Sequence, residues 1–390
     1  MTPAARTQAA IELLDEVIAA AHGGGAAADT LIARYFAARR YAGSKDRRAV
    51  RELVYAAIRR AGEVPASGRA AMLAVAAADE SVAATFDGST HGPAPIDASE
   101  IAAPAGVVPA WLAEALAASG VTADQQAALV GRAPLDVRVN RLLVDPATLA
   151  AQLGGDAIPG LPDALRLPAG TNMDALAGQA EVQDAGSQIV SLAACAHPGQ
   201  AIVDLCAGGG GKTLALAAAM RNEGRILAAD IDRARLSRLA PRAARAGVTI
   251  IESRLLDPKG ESAALSDWTD AADCVLIDAP CSGTGTWRRN PEARWRLTPD
   301  RLARFAAQQR HVLAIGAPLV RPGGVLVYIT CSLLDAEGAD QVEGFLTDHP
   351  DWTAERPDLP AGTPHGQGLR LDPASHGTDG FFVARLLRPC

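Results

Sequence analysis

The stretch AIVDLCAGGGGKTLALAAAM, Ala201 to Met220, decides the fold. Ile202, Val203 and Leu205 form an apolar run of strand length, four glycines from Gly208 to Gly211 break it, and Leu214 to Met220 is helix-forming. Strand, glycine turn and helix in that order make a nucleotide-binding geometry. Glycines let the backbone approach a ligand closely, and the helix that follows directs free N–H groups back at it.

Downstream of Gln183 the pattern is a regular alternation of strands and helices. Strands are expected at Ala201–Leu205, Arg225–Ala229, Thr249–Glu252, Cys274–Ile277 and Val325–Ile329, with a last one at Gly380–Leu387. Helices between strands imply a parallel sheet wound on both faces, with the ligand at the C-terminal strand ends. Asp230 closes the second strand, 22 residues beyond Gly208, where a carboxylate can hold ribose hydroxyls. The turn itself leaves three ligands open. Gly211-Lys212-Thr213 fits the end of a phosphate loop, but Cys206 stands where its first glycine belongs; a dinucleotide fingerprint fails at Thr213; S-adenosylmethionine is the third reading.

Upstream, residues 1–105 read as an all-α domain. Leu13, Leu14, Val17 and Ile18 recur at helical spacing, Gly23 to Gly25 end that helix, and SKDRRAVRELVYAAIRR carries Val50, Leu53, Val54, Ala57 and Ile58 on one stripe with arginines opposite. Phe86 to Gly106, rich in Gly, Pro and Ser, is the expected linker. Residues 106–185 read as a small α/β unit with a strand over Leu135–Val144 and a helix capped by Asp145, Pro146 and Gly154. Residues 186–390 form the nucleotide-binding domain.

The chain has 390 residues, 49% of them apolar, and a net charge of −7, so no general nucleic-acid-coating field surrounds it. Nine basic residues between Arg34 and Arg60 and seven arginines between Trp287 and Arg310 nevertheless make two local patches, at which RNA contact is one reading and solvated helix faces the other. No apolar run reaches the ~18 residues of a membrane span, and the acidic N-terminus lacks a signal-peptide pattern, so a cytoplasmic protein is expected. Six cysteines without a CxxC pair read as reduced thiols, and the histidines show no ligand spacing, so no metal is assigned.

Two of those thiols fall at strand ends. VLIDAPCSGTG closes the fourth strand with Asp278 and Cys281, and VLVYITCS closes the fifth with Cys331. A thiolate solves a specific problem for a pyrimidine. Addition at carbon 6 converts carbon 5 into an enamine-like nucleophile able to take a methyl group, after which a base removes the carbon-5 proton and elimination frees the sulfur. Asp278 is placed to supply a proton or hydrogen bond to the ring nitrogen as charge develops.

CAGGGGKT, DAPCSGTG and YITCS resemble the signature segments of the Sun (NSUN-type) family of RNA cytosine-5 methyltransferases; RVN (Arg138–Asn140), QDAGSQ (Gln183–Gln188) and DGFFVARL (Asp379–Leu386) also match. The resemblance covers residues 107–390 and implies a Rossmann-like α/β methyltransferase domain using S-adenosylmethionine. It implies Cys331 as nucleophile, Cys281 as the release thiol, Asp278 between cofactor and base, and Lys212 as organiser. The cofactor would lie on Cys206, Ala207, Gly208, Gly209, Gly210, Gly211 and Lys212, with Asp230 on its ribose, Asp278 beside it and Arg235 in support. Asp257 is the chosen third-strand acid, with Glu252 as rival.

The N-terminal helices resemble the NusB-like RNA-binding domain of bacterial members that modify small-subunit ribosomal RNA, which makes ribosomal RNA the expected partner of a monomer. A transfer-RNA methyltransferase and a non-catalytic ribosome-assembly protein are the alternatives. Two departures stand out. Gly209-Gly210-Gly211 replaces the family's proline and two glycines, and Gly338 stands in LLDAEGADQV where an asparagine is frequent. Cys195, Cys206 and Cys274 are expected to pack in apolar surroundings, and Trp287 and Trp295 either stack on bases or fill a core.

Overall fold

Ile202 and Val203 are both fully buried, yet they belong to different apolar clusters on opposite faces of one sheet. Cys274 and Val275 divide in the same way, as expected of strands covered on both sides. The computed structural model describes residues 1–390 and divides them into two compact units. One comprises Met1–Arg132 with Thr286–Thr298, the other Ala133–Gly285 with Pro299–Cys390.

The second unit holds two sheets. A small antiparallel sheet contains β1 (Leu135–Val139), β2 (Asp156–Ala157), β3 (Ala164–Leu167) and β4 (Ala180–Val182), ordered β2-β3-β1-β4. The expected strand over Leu135–Val144 stops at Val139 because Asn140 turns the chain. Its carboxamide oxygen accepts from Leu142 N, and its nitrogen donates to the carbonyls of Gly178 and Ala246.

The large sheet contains β5 (Ala201–Leu205), β6 (Arg225–Asp230), β7 (Ile251–Leu255), β8 (Ala272–Asp278), β9 (Val320–Thr330), β10 (Thr353–Glu355), β11 (Thr363–His365), β12 (Gly368–Leu371) and β13 (Phe381–Leu387). Its order is β11-β12-β13-β9-β8-β5-β6-β7, with β10 on β13. The strands from β9 to β7 are parallel, and β13 returns antiparallel along β9, with Phe382 opposite Thr330. Succession runs outward from β5 through β6 to β7, then jumps back to β8 on the other side of β5. This reversal opens a crevice at the C-terminal ends of β5 and β8, where such sheets bind ligands.

The first unit is built on α1 (Pro3–Gly23), α2 (Ala28–Ala37), α3 (Ser44–Arg60) and α4 (Gly68–Ala76). Leu13, Leu14, Val17, Val50, Val54, Ile58 and Met72 make its core at the periodicity the sequence shows.

Three expectations change here. Phe86–Gly106 is not a free linker: Ala103 N bonds Ala70 O, Gly106 N bonds Arg60 O, and Arg69 ties down Glu100 and the carbonyls of Ala94 and Pro95. The helices Ala110–Ala118 and Ala123–Ala128 belong to the helical unit rather than with residues 133–185; Ala110 N is capped by Glu63, and Arg132 pairs with Glu52. Residues 286–298 also pack with that unit rather than with the sheet domain around them in sequence.

The last change has an electrostatic cause. Glu292 accepts Ala28 N at 2.9 Å, capping α2, which has no side-chain cap of its own. Arg294, without solvent exposure, donates to the carbonyls of Ile58 and Ala61 at the end of α3 at 2.6 and 2.8 Å, and Arg296 donates to Gly25 and Ala26. Trp287 and Trp295 are core residues, the indole N–H of Trp295 donating to Ala61 O. The second basic patch is therefore partly a set of helix caps.

Candidate active site

The chain leaves β5 through Cys206 and Gly208, both in the left-handed region with φ of 75° and 56°, and enters the helix Gly211–Ala219 through Gly210 at φ 83°. The positive φ of Gly210 favours glycine, and a side chain there would also displace the end of Leu239. The turn is held from two sides. Asp230, at the end of β6 and nearly buried, accepts Gly208 N and Asp232 N at 2.7 Å each, one on each carboxylate oxygen. Arg242 donates to the Gly209 carbonyl and to Glu181, which also pairs with Arg138. This bracing stands where the family's proline is missing.

Gly211 faces open space, and the first N–H groups of its helix have no intrahelical acceptor, as in any helix. Asp230 still has lone pairs for hydroxyl donors. The donor set thus suits a ligand with a ribose and a charged, nucleotide-like body. The guanidinium of Arg235 lies over Gly208. Asp257 sits exposed two residues past the end of β7, on the crevice side, whereas Glu252 lies near the start of that strand in an ion pair with Arg254.

Across the crevice, Lys212 Nζ meets Asp278 Oδ2 at 2.6 Å. Lys212 is 8% exposed and lies 5.6 Å from the Phe381 ring, a cation held against an aromatic face. Behind it, Asp204 on β5 accepts from Thr213 Oγ1 at 2.5 Å, and burial pushes its carboxyl up to about 7.

Cys281 follows β8 and Cys331 follows β9, and their sulfurs stand 3.3 Å apart. The hydrogen bond to Cys331, and then burial, raise the Cys281 thiol well above the usual cysteine range. Cys206 is likewise raised by burial. Backbone bonds fix both loops: Ala279 N to Ile329 O at 2.9 Å, Gly285 N to Cys331 O at 3.0 Å and Gly380 N to Gly285 O at 2.8 Å. Cys274 is buried as expected, but Cys195 is exposed; it ends a short 3₁₀ turn at φ 47°, which turns it out of the core.

Other matched segments prove to be joints. Arg138 Nε donates to Gln183, and Asp184 accepts from Gly186 N and Asp379 N, so RVN, QDAGSQ and DGFF meet beside the site. Sequence reasoning did not single out the buried cluster of Ser282, Thr284, Gln309, Ser332 and Glu337 behind the thiols. No spacing distinguishes Glu337 from its acidic neighbour Asp335.

A doubly covered sheet with a glycine turn, a strand-end acid and reactive groups at the switch crevice defines the class of Rossmann-like methyltransferase domains. Residues 192–387 match the model of the 16S rRNA methyltransferase RsmB/F family, and the chain belongs to that family. The resemblance carried by CAGGGGKT, DAPCSGTG and YITCS is thereby borne out.

Over 272 residues the chain is 39% identical to the probable ribosomal RNA small subunit methyltransferase B of a Synechocystis strain, covering 65% of this chain and 59% of that protein. It therefore spans about three fifths of the length of this relative. The crystal structure of PH0851 superposes with a TM-score of 0.76 at 24% identity, covering 99% of both chains. NSun6 from Pyrococcus horikoshii, solved with SFG, superposes at 0.63 and 20% identity, covering 72% of this chain and 98% of its own. At these identities the two structures bear on the fold alone.

Proposed function

We propose that the protein is an S-adenosylmethionine-dependent RNA cytosine-5 methyltransferase acting on 16S ribosomal RNA through a covalent adduct on Cys331. The observation that carries this reading is the pair of sulfurs 3.3 Å apart at the ends of adjacent parallel strands, beside the Lys212–Asp278 pair. The family and the name of the curated relative support the RNA substrate.

Asp230 and the Gly208–Gly211 turn would hold S-adenosylmethionine, which would supply an electrophilic methyl group by breaking its sulfonium–methyl bond and leave as the neutral thioether. Cys331 sulfur bonds to cytosine carbon 6, and the ring electrons pass to carbon 5, which takes the methyl. Asp278, paired with Lys212, supports the ring nitrogen that gains charge. Cys281 gives its proton to solvent water and, as the thiolate, removes the carbon-5 proton; the carbon–sulfur bond breaks and Cys331 leaves as a thiolate. Cys331 thus ends as the thiolate and Cys281 as the thiol, and the one proton lost from carbon 5 is balanced by the one given to water. The exposed Arg40, Lys45, Arg47 and Arg48 of the helical unit are assigned to RNA phosphates.

The test compares two variants on unmodified 16S transcript. Cys331→Ala is expected to abolish both methylation and the denaturant-stable protein–RNA adduct, and Cys281→Ala to accumulate the adduct. Normal methylation by Cys331→Ala would remove the assignment, and bisulfite sequencing identifies the cytosine.

A further inference from the structure

Glu337 ends the short turn Asp335–Glu337 that follows Cys331, and it has no solvent exposure. A carboxylate so placed is stable only where donors surround it. Its donors are all neutral and come from the opposite loop and its support. Oε1 accepts Ser282 N at 2.8 Å and Gln309 Nε2 at 3.1 Å, and Oε2 accepts the Ser282 hydroxyl. Gln309, itself buried, uses the same nitrogen to hold the Pro280 carbonyl at 2.9 Å. The peptides on both sides of Cys281 are therefore pinned, one by Gln309 and the other by Glu337.

Cys331 is held mainly by the sheet, although the hydroxyl of its neighbour Ser332 also lies 3.3 Å from that of Ser282. It extends β9, whose last residue, Thr330, is paired with Phe382 of β13, and its carbonyl is held by Gly285 N. Cys281 lies three residues beyond β8, and the clamp holds the two peptides that flank it. Loosening the clamp moves one thiol relative to the other.

We propose that Glu337, acting through Ser282 and Gln309, is a positioning residue that sets Cys281 for the release half of the reaction; this rests on the cytosine-5 reading above. Proton removal from carbon 5 requires the Cys281 sulfur at bonding distance from one hydrogen, whereas attack at carbon 6 requires only Cys331. Glu337 thus controls the second half of the cycle through a residue that touches neither base nor cofactor.

The experiment uses the full chain with S-adenosylmethionine and unmodified 16S transcript, following adduct formation and adduct decay separately on denaturing gels. For Glu337→Gln, which keeps the shape and one acceptor, decay is expected to slow ~10–100-fold, the loss of one charge-assisted bond, while formation stays within ~3-fold of wild type. Ser282→Ala, which keeps the backbone bond, is expected to slow decay by a smaller factor; it decides the matter if Glu337→Gln does not fold. Equal slowing of formation and decay, or no change in either, overturns the proposal. A wild-type protein that forms no Cys331-dependent adduct removes the cytosine-5 reading and this one together, whereas adduct formation with unchanged decay in both variants removes only this one.

Discussion

The sulfur of Cys281 stands 3.3 Å from that of Cys331, although the two residues are 50 positions apart and belong to different strands. Parallel pairing of β8 with β9, in which Asp278 lies opposite Ile329, brings both strand ends to one point. At that separation the pair is open to oxidation. Peroxide is expected to join the two thiols, each giving up a hydrogen as the peroxide is reduced to two waters. Thiol counting should show two fewer free cysteines, activity should vanish, and dithiothreitol should restore both. Cys281→Ser should lose the effect on the thiol count.

Asp230→Ala removes the acceptor of Gly208 N and Asp232 N and the proposed ribose contact. Calorimetry is expected to show S-adenosylmethionine binding weakened ~10–100-fold, while RNA binding measured separately stays near wild type.

Lys212→Met keeps a side chain against Phe381 but leaves Asp278 without its cation. The expected result is a fall in kcat of ~100-fold, larger than any change in KM for the methyl donor.

Asp204 predicts a dependence of stability on pH. Its carboxyl titrates near 7 in the folded chain against the usual 3.8, so between those values the folded state holds a proton that the unfolded state releases. Its contribution is therefore greatest below about pH 4 and declines as pH rises toward 7, with a slope approaching ~1.4 kcal/mol per pH unit. Asp204→Asn, which still accepts from Thr213, should lack that slope. Urea melts at about pH 5 and about pH 7 will show a variant that gains on wild type at the higher value.

Arg294→Met strips the last carbonyls of α3 of a buried donor. A loss of ~2–4 kcal/mol is expected, read as a lower melting temperature, because buried acceptors left unpaired bear their full desolvation cost.

The parallel strands, the glycine turn, Asp230 and both thiols were legible in the sequence because each depends on local pattern. Apolar runs set the strands, and a residue directly after a strand inherits its end of the sheet. Glu337, Gln309 and Arg242 were not legible, since their roles arise from partners 28 to 61 positions away, and nothing in their immediate neighbours marks them. The arginines of 287–310 were misleading for the opposite reason. Composition shows charge, but whether a guanidinium faces water or a helix end, as Arg294 does, is decided by packing. Phe86–Gly106 misled likewise, its turn-rich composition concealing the Ala103 and Gly106 backbone bonds.

The chain reaches residues 286–298 directly from the loop that carries Cys281, then returns to the sheet domain at Pro299. The helical unit is consequently not a bead that can be cut from the string. Deleting residues 1–132 strands Glu292, Arg294 and Arg296 without the backbone groups they bond, and moving that segment to another protein leaves those groups bare. Loss or gain of the module in a descendant would require two coordinated edits, one at the terminus and one within a dozen residues of Cys281. A nick between Thr286 and Thr298 tests this interdependence, since it severs no sheet strand and no catalytic side chain yet frees the helix caps.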